Sequence, residues 1–268
     1  MAGIIDTHAH LNDDEVLPYI GEILERAKAN GVEKIIVPAT NLKSSIQICE
    51  LVQKHEMLYG AVGIHPNELH DFDDKHLEEI EKLADSPKII AIGEIGLDYY
   101  WKPFDSELEK FVLREQLKIA KRKNLPVILH NRESSEDLMN LVSEEYENAR
   151  LRNGQGKLKG QFHSFSGDEA MAKKCVTMGF YISFTGNITY KPNANTLATH
   201  KIISETPLTS LLLETDTPYL PPIPYRGKKN EPSYIIHTAK KIAELKNISE
   251  EEVHTQTTSN AKLLFSIK

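Results

Sequence analysis

Eight short runs rich in Val, Ile, Leu and Phe recur along the 268-residue chain, at residues 3–7, 34–38, 59–64, 89–93, 127–130, 160–165, 181–184 and 210–214. They are near-continuous rather than alternating, as strands buried on both faces of a parallel sheet require. Between several of them, at 17–30, 75–84, 105–124 and 134–149, apolar residues recur at helical spacing among Glu and Lys. The first of these stretches ends in Asn30-Gly31, a helix stop signal. In the last, Ser134 followed by Asp137 is a weaker relative of a capping box. The tail from Pro232 reads as two helices, with Ser249 capping the second. Eight βα units predict an α/β fold, a (β/α)8 barrel of about the usual 250 residues, with 1–268 as one domain. A doubly wound open sheet competes, but it rarely needs eight repeats. Residues 150–159, rich in Gly, Lys and Arg, read as an exposed loop.

Composition narrows what such a barrel does. Apolar residues at 40% and charged residues at 26% argue against a disordered or fibrous chain. With 32 basic against 39 acidic residues, the net charge of −7 argues against a surface that coats nucleic acid. A local phosphate site stays open, because bound divalent cations can supply the positive charge. Cys49 and Cys175 stand far apart and read as free thiols in a reducing compartment. No apolar run approaches the roughly 18 residues of a membrane span, and MAGIIDTHAH has neither a basic nor a long apolar leader region. A cytoplasmic protein with no membrane association and no stable protein partner is expected.

In a barrel, catalytic side chains sit at the C-terminal ends of strands. Here a metal-ligand type stands at one strand end after another: His8 and His10, His65, Glu94, His130, His163 and Asp216. His8 and His10 are two apart, so on an extended chain they point to the same side. A lone histidine at such a place is more often a satisfied core or loop residue, but five of eleven at the same end are not scatter. Four imidazoles and two carboxylates exceed what one tetrahedral ion needs, and suit two ions joined by a bridging carboxylate. Glu94, midway in strand order, is the natural bridge. Mixed N/O ligation admits Zn, Mn, Fe, Co or Ni; Mg suits so many imidazoles less well, although activity can still respond to it. Asp216 is both a ligand and the best candidate base. Glu214, two residues earlier, reads as a partner that orients a ligand.

These motifs together resemble the TatD family of metal-dependent deoxyribonucleases, within the amidohydrolase-like barrels. The match is carried by DTHAHLN, GIHP, AIGEIGLDYY, PVILHNR, FHSFSG, LLLETDTPYL, RGKKNEPSY and SNAKLLF, from residue 4 to residue 265. The resemblance implies a (β/α)8 barrel, divalent metals and DNA phosphodiester hydrolysis, often from the 3′ end. Carried over by position, one metal site is His8, His10, Glu94 and Asp216, and the other is Glu94, His130 and His163. His65 falls where the family approaches the substrate phosphate, and Arg226 and Asn230 fall in the segment that shapes the same mouth. Ser164 stands where many members carry Cys, and Asn187 where a small residue or Pro is commoner. Neither is a proposed ligand, so these departures bear on substrate preference rather than on metal chemistry.

The leading expectation is a two-metal 3′–5′ exodeoxyribonuclease acting on single-stranded or frayed DNA. Near the mouth, Lys102, Arg132, Lys191, Arg226, Lys228 and Lys229 are available for phosphate, with Arg132 and Arg226 the best placed. Tyr99, Tyr100 and Trp101 could stack bases or pack their own loop. A second reading keeps the metals and changes the bond, to another ester or an amide, as in a D-aminoacyl-tRNA deacylase. Many amidohydrolases bridge their metals with a modified Lys at the fourth strand, and Glu94 in that place favours the phosphodiesterase. A third, non-catalytic reading as a metal-loaded interaction module has only the acidic surface behind it.

Overall fold

A computed structural model of the chain describes residues 3–151 and 158–267. Strands β1 (Ile4–Asp6), β2 (Val32–Pro38), β3 (Leu58–Val62), β4 (Ile89–Asp98), β5 (Val127–Arg132), β6 (Gly160–Phe162), β7 (Tyr181–Phe184) and β8 (Leu211–Leu213) follow one another in that order in one eight-stranded sheet. Helices α1 (Ile20–Ala29), α2 (Leu42–Lys54), α3 (Asp74–Leu83), α4 (Ser106–Lys123), α5 (Ser135–Leu151), α6 (Glu169–Thr177) and α7 (Ala194–Glu205) fill the crossovers. Two more, α8 (Ile235–Lys246) and α9 (Glu250–Phe265), follow β8. This is the (β/α)8 fold class that the eight apolar runs predict. Of the loop expected at 150–159, residues 152–157 lie outside the described residues.

The contacts group the chain into two units. In the first, Met1–Val37 with His163–Lys268, β1 pairs parallel with β2 and β7 with β8. Thr7 N–H donates to the Leu213 carbonyl at 3.0 Å, so the end of β1 is bonded back to β8. The stretch expected as a helix at 17–30 divides into a 3-10 turn over Leu17–Tyr19, with Pro18 in its first turn, and then α1. Asn30 caps α1 and Gly31, at φ 84°, turns the chain into β2. Ser249 forms the expected capping box, with Glu252, on α9.

In the second unit, Pro38–Phe162, β3 to β6 pair in parallel register. β4 and β5 run past the apolar segments that announced them, to Asp98 and Arg132. Glu94 and His130 therefore stand inside these strands rather than at their ends. Between the Ile92↔Val127 and Ile95↔Leu129 pairs, β4 carries one residue more than β5. This bulge at Gly93-Glu94 re-aims the carboxylate. A Cβ on Gly93 would sit 2.6 Å from Cβ of Ile128, so glycine lets β5 approach. α4 starts at Asp105, whose carboxylate accepts from the N–H groups of Glu107 and Leu108. Ser134 donates to the Leu97 carbonyl and to Asn131 Oδ1, tying the start of α5 to β4.

Candidate metal centre

In the first unit, the chain beyond β1 runs beside the segment beyond β8. Asp216 N–H donates to the His8 carbonyl and His10 N–H to that of Thr217, each at 2.8 Å. Fully buried Asp6 reinforces this seam. Its carboxylate accepts from the N–H of His8 (3.2 Å) and of Thr215 (3.0 Å) and from the Thr215 hydroxyl (2.6 Å). Burial pushes the Asp6 carboxyl up to about 8, although each of these bonds acts to lower it.

The seam sets three ligand atoms face to face. His8 Nε2 and His10 Nε2 are 3.1 Å apart, and Asp216 Oδ1 lies 3.6 Å from the first and 3.7 Å from the second. Asp216 has φ 58°, a left-handed conformation that Asp adopts more readily than most residues. The His163 ring stacks on that of His8, with centroids 3.9 Å apart. His163 Nδ1 lies 3.7 Å from Oε1 of buried Glu214, which also accepts from Ser164 N–H (2.5 Å) and, at Oε2, from the Ser183 hydroxyl (2.8 Å). Burial acts to raise the Glu214 carboxyl, but His163, His8 and Ser183 outweigh it and hold it below the usual range. Glu214 is thus a charged carboxylate set against His163.

In the second unit, Glu94 Oε1 lies 3.0 Å from His130 Nδ1 and 3.6 Å from His65 Nε2. The far nitrogen of His130, Nε2, is 3.0 Å from Asp98 Oδ2. Both nitrogens thus face a carboxylate, and with the proton of a neutral His130 on Nε2 toward Asp98, the Nδ1 lone pair turns toward Glu94, as metal ligation at Nδ1 would require. His65 is arranged the other way round. Its Nδ1 accepts the Asn67 N–H at 3.1 Å, so a neutral His65 presents an Nε2–H donor toward Glu94. Asp98 further accepts from the Asn67 side chain and, at Oδ1, from the N–H of Tyr100. Burial acts to raise the Asp98 carboxyl, but His130 and these donors hold it down at about 2.

The donor set fits metal ions. Two imidazole nitrogens and a carboxylate oxygen that converge can all offer lone pairs to one cation. Ligand atoms on a tetrahedral ion with bonds of about 2.1 Å stand roughly 3.4 Å apart. The 3.1–3.7 Å separations among His8, His10 and Asp216 match that spacing. Glu94 with His130 Nδ1 offers a second such pair, whereas His65 points a proton at the same place. The group His8–His10–Asp216 could hold an ion, and of the group His65–Glu94–His130 the Glu94 oxygen and the His130 nitrogen are the two that could serve another.

The other expected site residues are placed less directly. The Arg132 guanidinium lies over the Tyr100 ring at 3.9 Å, and that of Arg226 over Tyr190 at 4.6 Å. Asn230 is buried, and its amide donates to the carbonyls of Thr215 and Tyr219, each at 2.7 Å. It therefore fixes the loop after β8 rather than extending from it. Lys229 pairs with Glu15 at 3.0 Å.

Residues 5–266 match the family model described as TatD related DNase. The chain belongs to the TatD family. It is 40% identical, over 98% of its length and 99% of the relative's, to the uncharacterized metal-dependent hydrolase YabD of Bacillus subtilis. The metal-dependent hydrolase YjjV of Escherichia coli is 35% identical over 98% of each chain. The crystal structure of YjjV, a TatD homolog, superposes with a TM-score of 0.90 at 33% identity, covering 99% of this chain and 98% of that one. A TatD-family hydrolase from Entamoeba histolytica superposes with a TM-score of 0.84 at 27% identity, over 99% of each chain. Dihydroorotase from Campylobacter jejuni, at 14% identity and a TM-score of 0.59, shares the fold alone. Within the TatD fold, Asp6 and Asp98 are the residues that reading the sequence passed over. Each is a carboxylate closing a short apolar segment at the end of a strand, in Ile4-Ile5-Asp6 and Ile95-Gly96-Leu97-Asp98. That placement is the signal that could have found them.

Proposed function

We propose that this metal-dependent hydrolase of the TatD family is a DNA phosphodiesterase, a 3′–5′ exodeoxyribonuclease with two divalent ions drawn from Zn, Mn, Mg, Co or Ni. His8, His10, Glu94 and Asp216 would hold one ion, and Glu94, His130 and His163 the other, with Glu94 shared. The observation that carries the reading is the convergence of Nε2 of His8 and His10 on Asp216 Oδ1, at 3.1–3.7 Å, in a chain of this family. Bound ions supply positive charge against the phosphate and make a nearby water more acidic.

The side chains do the rest. Asp216, with Oδ1 toward the imidazoles, takes the attacking water's proton on Oδ2. His65 donates from Nε2 to a phosphate oxygen, which its fixed proton suits and which a ligand role would not. Arg132 and Arg226 clamp flanking phosphates, and Asn230 holds the loop that carries Tyr219. Glu214 and Asp98 fix the rings of His163 and His130.

A 5′-labelled single-stranded oligonucleotide, incubated with the chain in each metal and in chelator, tests this. The expected result is a ladder shortening from the 3′ end that chelation abolishes. Hydrolysis of D-aminoacyl-tRNA with none of DNA would overturn it.

A further inference from the structure

Beside the second unit's ligands lies a cavity of about 390 Å³ that the chemistry above does not use. Pro66, Trp101, Phe104 and Leu108 give it an apolar and aromatic wall, among polar residues that include His70, Asp105 and Glu109. It adjoins the candidate centre through two segments. Pro66 and Asn67 directly follow His65, and the Asn67 side chain donates to Asp98 at 3.1 Å. Trp101 comes three residues after Asp98, whose Oδ1 accepts the Trp101 N–H at 3.4 Å. The same carboxylate therefore fixes His130 and the start of the aromatic loop.

The rings are held ready. Phe104 stacks on Tyr99 at 4.9 Å, and the Tyr99 hydroxyl donates to Asp137 at 2.8 Å. Trp101 meets Tyr100 edge to face at 5.0 Å, under the Arg132 guanidinium. Yet Trp101 is 56% exposed, so its ring keeps a face open to an occupant. The polar lining selects among occupants. Asp105 and Glu109 line the cavity and would repel a phosphate inside it, and an acyl chain would strip water from carboxylates that already hold only backbone N–H donors. A planar heterocycle with both donors and acceptors on its edge satisfies them and stacks on the rings. Lys102, exposed in the same lining, supplies a positive charge.

We infer that this cavity is a nucleobase subsite, in which Trp101 and Phe104 hold the base of the nucleotide whose phosphate reaches His65. The inference rests on the nuclease reading for its substrate but not for its test.

Trp101 is the chain's only tryptophan, so its emission reports on this pocket alone. Titration with deoxyadenosine 5′-monophosphate, and separately with a single-stranded oligodeoxynucleotide, is expected to quench it, whereas inorganic phosphate leaves it unchanged. By anisotropy of the labelled oligonucleotide, Trp101→Ala should weaken binding about 5- to 100-fold, the range of one base–aromatic stack, and Trp101→Phe by less. Circular dichroism of each variant separates lost stacking from lost fold. Unchanged emission with both nucleotides, or an alanine variant that folds and binds as the parent does, overturns the subsite even if DNA is cleaved. Quenching by the mononucleotide without DNA cleavage retains the subsite and removes the nuclease.

Discussion

Asp98 shows how a single carboxylate sets the chemistry of a neighbour. Facing His130 Nε2 at 3.0 Å, it offers that nitrogen's proton an acceptor, and the tautomer that uses it leaves the Nδ1 lone pair toward Glu94. Asp98→Asn keeps an oxygen there but loses the charge that fixes the proton. The variant is expected to lower affinity for the second metal equivalent about 10- to 100-fold, with the metal-free melting temperature close to the parent's; calorimetric titration and thermal unfolding check the two halves. Asp216→Asn differs, because under the proposed mechanism it would remove a base as well as a ligand. Its kcat should fall by about 10²–10⁴, with partial loss of the first metal and retention of the second. A variant with near-parental kcat would remove Asp216 from the mechanism. The proposed ligands could be picked out in the sequence because their types are rare and follow apolar runs, although β4 and β5 continue past Glu94 and His130. Asp6 and Asp98 were not, since Asp6 meets Thr215, 209 residues away, and Asp98 meets His130, 32 away. The donor role of His65 was hidden for the opposite reason, as it depends on the N–H of a residue two positions on.

Among the elements, β4 and α4 act together. Glu109, buried in the first turns of α4, accepts the Asp98 N–H at 2.9 Å. Burial is the main cause that lifts its carboxyl from 4.5 to about 7, with the charge of Asp98 adding to it. The unfolded chain releases this proton near 4.5 and the folded chain near 7. Between those values the folded state binds more protons, so stability falls as pH rises through the window and stays lower above it. Glu109→Gln retains a carbonyl oxygen for the Asp98 N–H and removes that cost. The metal-free variant is expected to be more stable than the parent at about pH 8 by roughly 1–3 kcal/mol, with the gain fading below about pH 5. Urea unfolding at both pH values checks it, and a variant less stable at both would contradict it. The strands were readable from their apolar runs, as were helices with a wide apolar face such as α4. α2, α6 and α7 were not singled out. α2 buries Ser44 and Ser45 beside Ile48, Leu51 and Val52, and α7 buries only Ile202 and Ile203, so neither shows a full apolar stripe.

For the whole chain, the strand order β1 to β8 follows from repetition of one βα pattern, which is why the fold class could be read without alignment. The bulge in β4 could not, because a register shift is a property of two strands and not of one. The proposed donors come from residues as distant in sequence as His8 and Asp216, so metal binding there would be linked to folding. Calorimetric titration of the chelator-stripped chain with Zn²⁺ is the most direct test of the centre. The six donors His8, His10, Glu94, His130, His163 and Asp216 predict two equivalents bound, and a chain with His130 and His163 both replaced by Ala should bind one. A parent that takes up one equivalent or none would contradict the two-metal centre.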